Sequence, residues 1–128
     1  LLDELSAVVK QVEASNDPAF GTTGAKLREA LDALTRTSKW LLERVTSAPN
    51  EALAGATPYL QQFGATLGGC MLASEALAAK SDGLADAQRY VSLARFFAEN
   101  ITVQAAGLER TVTESAESVA AADAVLLG

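Results

Sequence analysis

Leu2, Leu5, Val9 and Val12 fall three or four residues apart, and the same spacing returns in three further stretches of the chain. Apolar residues at that spacing line one face of an α-helix. No stretch alternates apolar and polar residues as a half-buried strand would. Alanine and leucine dominate and aromatic residues are few, which also favours helix over sheet.

Short turn-forming stretches separate the four helical patterns. The first pattern, Leu1 to Ala14, ends in "SNDPAFG", Ser15 to Gly21, where Asn, Asp, Pro and Gly supply the turn. The second opens at "TTGAKL", with Thr22 or Thr23 as N-cap. Its predicted buried face is Leu27, Leu31, Leu34, Ser38, Leu41 and Val45, flanked by Trp40 and Leu42, and it stops within Thr46 to Asn50. The third begins at Pro49, a good first-turn residue, and reaches Lys80. Leu53, Ala56, Leu60, Phe63, Leu67 and Met71 mark one side of it. Pro58 lies inside this pattern; the preferred reading is one helix kinked there, the other a new helix capped by Thr57. "KSDG", Lys80 to Gly83, is a tight connection. The fourth pattern starts near Leu84. Its seam is Tyr90, Leu93, Ala94, Phe97, Ile101, Ala105, Leu108 and Val112, and "SAESVAAADAVLL" continues it.

The predicted fold is therefore all-α. It is an antiparallel up-down-up-down bundle of three long helices and one shorter N-terminal helix, filling residues 1–128 as one domain. The chain opens on Leu1 with helix already under way and with no secretory leader pattern. It reads as a fragment cut from a larger, cytoplasmic chain whose start lies upstream.

Composition excludes several functions. Histidine is absent and Cys70 is the one cysteine, so Ser-His-Asp, Cys-His, His-zinc and Cys-based metal sites have no ligands here. The net charge is −6, with an acidic excess toward the C-terminal third: Asp82, Asp86, Glu99, Glu109, Glu114, Glu117 and Asp123 against Arg89, Arg95 and Arg110. With no basic stripe, nucleic-acid binding is not expected, and no Lys/Arg cluster offers a grip on anionic lipid.

The motifs that suggest chemistry have simpler readings. "GTTGAK", Gly21 to Lys26, has two residues between its glycines where a phosphate-binding loop needs four, and Leu27 follows Lys26. It reads as a loop feeding a helix, with anion binding at that N-terminus as the functional alternative. The acid pairs Asp3/Glu4, Glu29/Asp32 and Glu114/Glu117 sit in contexts typical of solvated faces, and Arg28, Arg36, Lys39 and Arg44 share the second helix with its acids. Cys70 has no cation within nine residues to lower its pKa and reads as a core residue. No catalytic, cofactor-binding or metal site is therefore assigned.

"FGATLGGC", Phe63 to Cys70, places three glycines inside a helix. Gly64 and Gly68 share one face, as in helix pairs that approach closely within membranes. Glu51 and Glu75 bound an uncharged run, 52–74, long enough to span a bilayer. Pro58, Gln61, Gln62 and Thr66 interrupt it, so a groove in a soluble bundle is expected, with Phe96, Phe97, Tyr90 and Trp40 available to fill it. On that reading Gly64→Leu overpacks the groove. Gly69 points elsewhere.

"PYLQQFGATLGGCMLASEALAA", Pro58 to Ala79, and "YVSLARFFAENITVQAAGLERTV", Tyr90 to Val112, together resemble the extra C-terminal helical domain of longer bacterial acyl-CoA dehydrogenases. The resemblance covers residues 24–122. The "YL-x-x-FG" element, the glycine pair, and "ARFFAEN" followed by "QAAGL" are its most specific parts. Sequences of this type commonly carry an aromatic residue where this chain has Cys70. The resemblance implies a parent enzyme that uses FAD to form a trans C2–C3 double bond in an acyl-CoA, in fatty-acid oxidation. A glutamate base and the flavin N5 would do that work in an upstream core; no residue of this chain matches either, and the fragment alone is expected to be non-catalytic and without cofactor. Its implied role is packing against that core, shaping the acyl-CoA entrance, or assembly into a homo-oligomer. Leu41 and Leu42 beside Trp40, and Phe96 beside Phe97, are too apolar for one small bundle. The other reading is a free-standing helical module that binds an amphipathic helix or a membrane surface.

Overall fold

The computed structural model describes residues 1–126 and, within them, all side chains except those of residues 116, 117, 120 and 123. Six α-helices form among the described residues: α1 (Leu2–Ala14), α2 (Thr23–Ser47), α3 (Pro49–Ala54), α4 (Ala56–Ser81), α5 (Ala87–Asn100) and α6 (Ala105–Leu126). Single 3-10 turns occupy Pro18–Phe20 and Thr102–Gln104, and no strand occurs among the described residues. Leu127, the last residue of the predicted fourth helix, lies outside them.

α1 buries Leu5, Val9 and Val12, and Asp3 and Glu4 in its first turn complement the positive end of the helix dipole. The loop after it is stitched locally. Ser15 Oγ donates to the Val12 carbonyl at 2.8 Å, and the Asp17 carboxylate accepts from the Ala19 N–H at 2.9 Å. Pro18 then opens the 3-10 turn that sinks Phe20 into the core. α2 buries Thr23, Leu27, Ala30, Leu31, Ala33, Leu34 and Thr37. Beyond Thr37 its cover runs out: Leu41 is half-buried, and Val45, expected in the core, is 57% exposed.

The third predicted helix is two helices, and the break falls at Gly55 rather than Pro58. A Cβ on Gly55 would lie 2.9 Å from both Cγ1 and the carbonyl oxygen of Val112, so the α6 backbone has to pass where a side chain would be. Pro58 is the third residue of α4, where its missing N–H is one of the donors a helix start leaves unused. The first closing bond runs from the Tyr59 N–H to the Gly55 carbonyl at 3.0 Å. Thr57 does not cap.

α4 also presents a different face from the one predicted. Its buried residues are Gln62, Thr66, Gly69, Cys70, Ala73, Ala76 and Ala79. Leu53, Leu60 and Met71, expected in the core, are 72%, 68% and 56% exposed. Small side chains let α2, α5 and α6 approach closely, and the large ones are left at the rim.

"KSDG" closes α4 with a Schellman motif. The Leu84 N–H reaches the Ala79 carbonyl at 3.0 Å and the Gly83 N–H reaches Lys80 at 3.1 Å, with Gly83 at φ +65°. α5 starts three residues later than expected, at Ala87, and buries Val91, Ala94 and Ala98. The fourth pattern is then interrupted at Ile101–Gln104. There Thr102 turns inward and its hydroxyl donates to the Ala65 carbonyl of α4 at 2.8 Å. Tyr90, Leu93 and Ile101 of the predicted seam lie on the surface, while Ala105 and Val112 are buried.

Three contacts run in order along the molecule: Ser38 meets Tyr59, Leu27 meets Gly69, and Asp17 meets Lys80. Ion pairs tie neighbouring helices, besides Arg95–Glu99 within α5 and Arg110–Glu114 within α6. Arg28 pairs with Glu13 of α1 at 2.9 Å, and Arg36 holds Glu109 of α6 through two bonds of 2.9 Å. Arg44 lies 3.9 Å from Glu51 of α3.

Candidate functional site

The end of α2, the short α3 and the start of α4 enclose a cleft of about 640 Å³. Its walls are hydrocarbon: Leu41, Leu42, Val45, Leu53 and Leu60. Four of these five are large side chains more than half exposed, Leu42 at 74% being the most open. The polar groups at its edge are the hydroxyls of Ser38 and Tyr59, bonded to each other at 2.8 Å. Contiguous exposed apolar surface of this kind marks a docking region in water-facing proteins.

Leu60 also borders a second cleft of about 640 Å³, between α4 and the α5–α6 junction. Gly64, Phe97, Ile101 and Leu108 line it. The glycine pair divides here. Phe97 lies over Gly68, where an added Cβ would sit 2.9 Å from its Cζ, whereas nothing comes within 4 Å of a Cβ on Gly64. Of the four aromatic residues expected to fill the groove, Phe97 is the one that enters it; Phe96 is 60% exposed and Tyr90 36%. The expectation that Gly64→Leu overpacks the bundle is therefore corrected: that position opens into the cleft. The tight glycine is Gly69, whose Cβ would collide with Thr102 Oγ1 and lie 2.8 Å from Leu27 Cδ2.

The remaining candidates take structural roles. At "GTTGAK" neither threonine side chain caps α2. The Glu99 carboxylate of α5 accepts from the Thr22 N–H at 3.2 Å and from its hydroxyl at 3.0 Å, so an acid of the chain itself occupies the place of an anion. The Thr23 hydroxyl donates to the Phe20 carbonyl. Cys70 is fully buried, and burial pushes its thiol up to about 11. Asp3, Glu4, Glu29 and Asp32 are exposed. Glu114 pairs with Arg110 at 3.4 Å, and the side chain of Glu117 lies outside the described ones. No cluster of three or more acidic or cysteine side chains gathers among the described residues. No helix among them is long and apolar enough to cross a membrane.

The amino-acid sequence matches the family model described as acetyl-CoA dehydrogenase C-terminal like over residues 1–123. The chain belongs to this family. No curated protein and no solved structure gives a match. The match begins at Leu1, so α1 is part of this acetyl-CoA dehydrogenase C-terminal-like domain although the quoted motifs begin beyond it. In this domain the cleft residues Val45, Leu53 and Leu60 carry helical spacing, which made them look like core. The readable sign of their exposure was the neighbouring cluster Trp40, Leu41 and Leu42, apolar on more than one side of α2.

Proposed function

We propose that this chain is the C-terminal accessory domain of an FAD-dependent bacterial acyl-CoA dehydrogenase, located in the cytoplasm and non-catalytic by itself. The parent would form the C2–C3 double bond of an acyl-CoA in fatty-acid oxidation, with base and flavin both in an upstream catalytic core. The domain's work would be packing on that core and supporting a homo-oligomer. The observation that carries this reading is the inversion of size across the surface. Small side chains make up most of the buried face of α4, while Leu60 and Met71 of that helix stand outside, as do Leu42, Leu53 and Phe96 of its neighbours. A domain built to pack on another surface keeps its large apolar side chains there.

The cleft does not fit FAD. A flavin dinucleotide needs cationic or backbone N–H donors for its diphosphate, and the two hydroxyls at this cleft are bonded to each other amid hydrocarbon. No step of the reaction is therefore assigned to this chain.

We also infer the bundle order. The pairings Ser38–Tyr59 and Leu27–Gly69 support opposite directions for α2 and α4, and Gly55–Val112 with Ala65–Thr102 support the same for α4 and the α5–α6 segment. Gly24–Glu13 and Arg28–Glu13 place the end of α1 at the start of α2. These contacts support an up-down-up-down bundle in which α3–α4 and α5–α6 each act as one interrupted rod.

The test is the gene. A reading frame that continues upstream into an acyl-CoA dehydrogenase core supports the assignment; a start codon near Leu1 rejects it in favour of the free-standing interaction module. The isolated domain with added FAD should show no acyl-CoA oxidation.

A further inference from the structure

We infer that the cleft between α2, α3 and α4 is covered, in the full-length polypeptide, by chain lying N-terminal to Leu1. The inference rests on the accessory-domain reading above and goes further by assigning the docking face. Two features single out this face. The first is where Leu1 sits. It lines a shallow depression with Ser38, Tyr59 and Phe63, and Ser38 and Tyr59 are the same residues that edge the large cleft. Polypeptide joined to Leu1 thus enters the molecule at the rim of the cleft, and each extended residue reaches about 3.3 Å.

The second feature is charge. The cleft wall of Leu41, Leu42, Val45, Leu53 and Leu60 carries none, and Arg44 and Glu51, close to it in sequence, lie 3.9 Å from each other. The wall therefore matches an uncharged, apolar segment. Tethering decides between such a segment and a second copy of the chain. A covalently attached segment acts at an effective concentration on the order of millimolar, whereas a second copy brings another net charge of −6 toward the first.

Cysteine accessibility in the full-length protein tests this. Leu42→Cys and Leu53→Cys place thiols on the cleft wall; Gln11→Cys and Asp32→Cys place them on exposed positions of α1 and α2. Maleimide labelling at each introduced thiol is read by peptide mass spectrometry, with circular dichroism confirming that each variant is folded. The wall thiols are expected to react about ten-fold more slowly than the reference thiols or less, at every protein concentration. Equal rates overturn the inference. Protection that disappears on dilution also overturns it, because a second copy then covers the cleft. Leu42→Cys and Leu53→Cys lie on different helices, so either variant alone decides the matter if the other does not fold. A gene without an upstream core removes the accessory-domain reading; a gene with that core and freely reactive wall thiols removes this inference alone.

Discussion

Glu99, near the end of α5, accepts hydrogen bonds from both the backbone N–H and the hydroxyl of Thr22 at the start of α2. The residues are 77 positions apart. A helix start that lacks a side-chain cap of its own is thus closed from another helix, and the carboxylate answers both the free N–H and the positive end of the helix dipole.

Acid should weaken this junction. The Thr22 N–H, then the Thr22 hydroxyl, then Arg95 hold the Glu99 carboxyl below its ordinary value of 4.5. A depressed folded pKa adds stability that is complete above that ordinary value and is lost as pH falls through the folded one. Asp17, lowered first by its bond to Lys80, acts in the same direction. Glu99→Gln is expected to lower the melting temperature at neutral pH and to lose less stability on acidification below 4.5 than the parent sequence. Parallel melting curves against pH would contradict this.

Gly69 and Gly64 should respond in opposite ways to the same substitution. At Gly69 a methyl group meets Thr102 and Leu27. Overpacking costs about 1–3 kcal/mol, against about 1 kcal/mol returned by the better helix propensity of alanine. Gly69→Ala is expected to destabilise the domain by up to about 2 kcal/mol on that balance. Gly64→Ala opens into free space and is expected to stabilise the isolated domain by up to about 1 kcal/mol. Denaturant unfolding of both variants checks the contrast.

Gln62 is fully buried, and neither its Nε2 nor its Oε1 has a hydrogen-bond partner. A buried polar group left unpaired costs about 1–3 kcal/mol. Gln62→Met, close in shape, is expected to raise stability by about that amount. A loss of stability would show that an ordered water satisfies the amide.

Cys70 should resist alkylation in the native state and make the fold sensitive to base. The unfolded thiol ionises near its ordinary 9.0, the folded one only at about 11. Between those values the unfolded chain binds fewer protons, so stability falls as pH rises. Cys70→Ala is expected to flatten that alkaline limb; an unchanged slope would assign it to other groups.

The helical class and the turns at "SNDPAFG" and "KSDG" were legible because periodicity and turn chemistry are local. The two interruptions were not. Gly55 breaks the chain because Val112 arrives there from α6, and Thr102 turns inward to reach Ala65 and fill the space over Gly69. Both causes lie in distant sequence. The buried face of α4 was hidden for another reason: Cys70, Ala73, Ala76 and Ala79 give a weaker apolar signal than Leu60 and Met71 beside them, yet a close helix crossing favours the smaller set. Nor does spacing tell a leucine facing the core from one facing a cleft, which is why Leu53 and Leu60 read as core.

The size inversion on α4 also says where this domain can gain stability. The buried face of that helix is mostly small side chains, with little further apolar area to remove from water. The unspent hydrophobic free energy lies outside, at Leu42, Leu53 and Leu60, where burying each side chain is worth about 1.5–3 kcal/mol. A polypeptide arranged this way matures by being covered: whatever docks on those leucines becomes, thermodynamically, the last layer of its core.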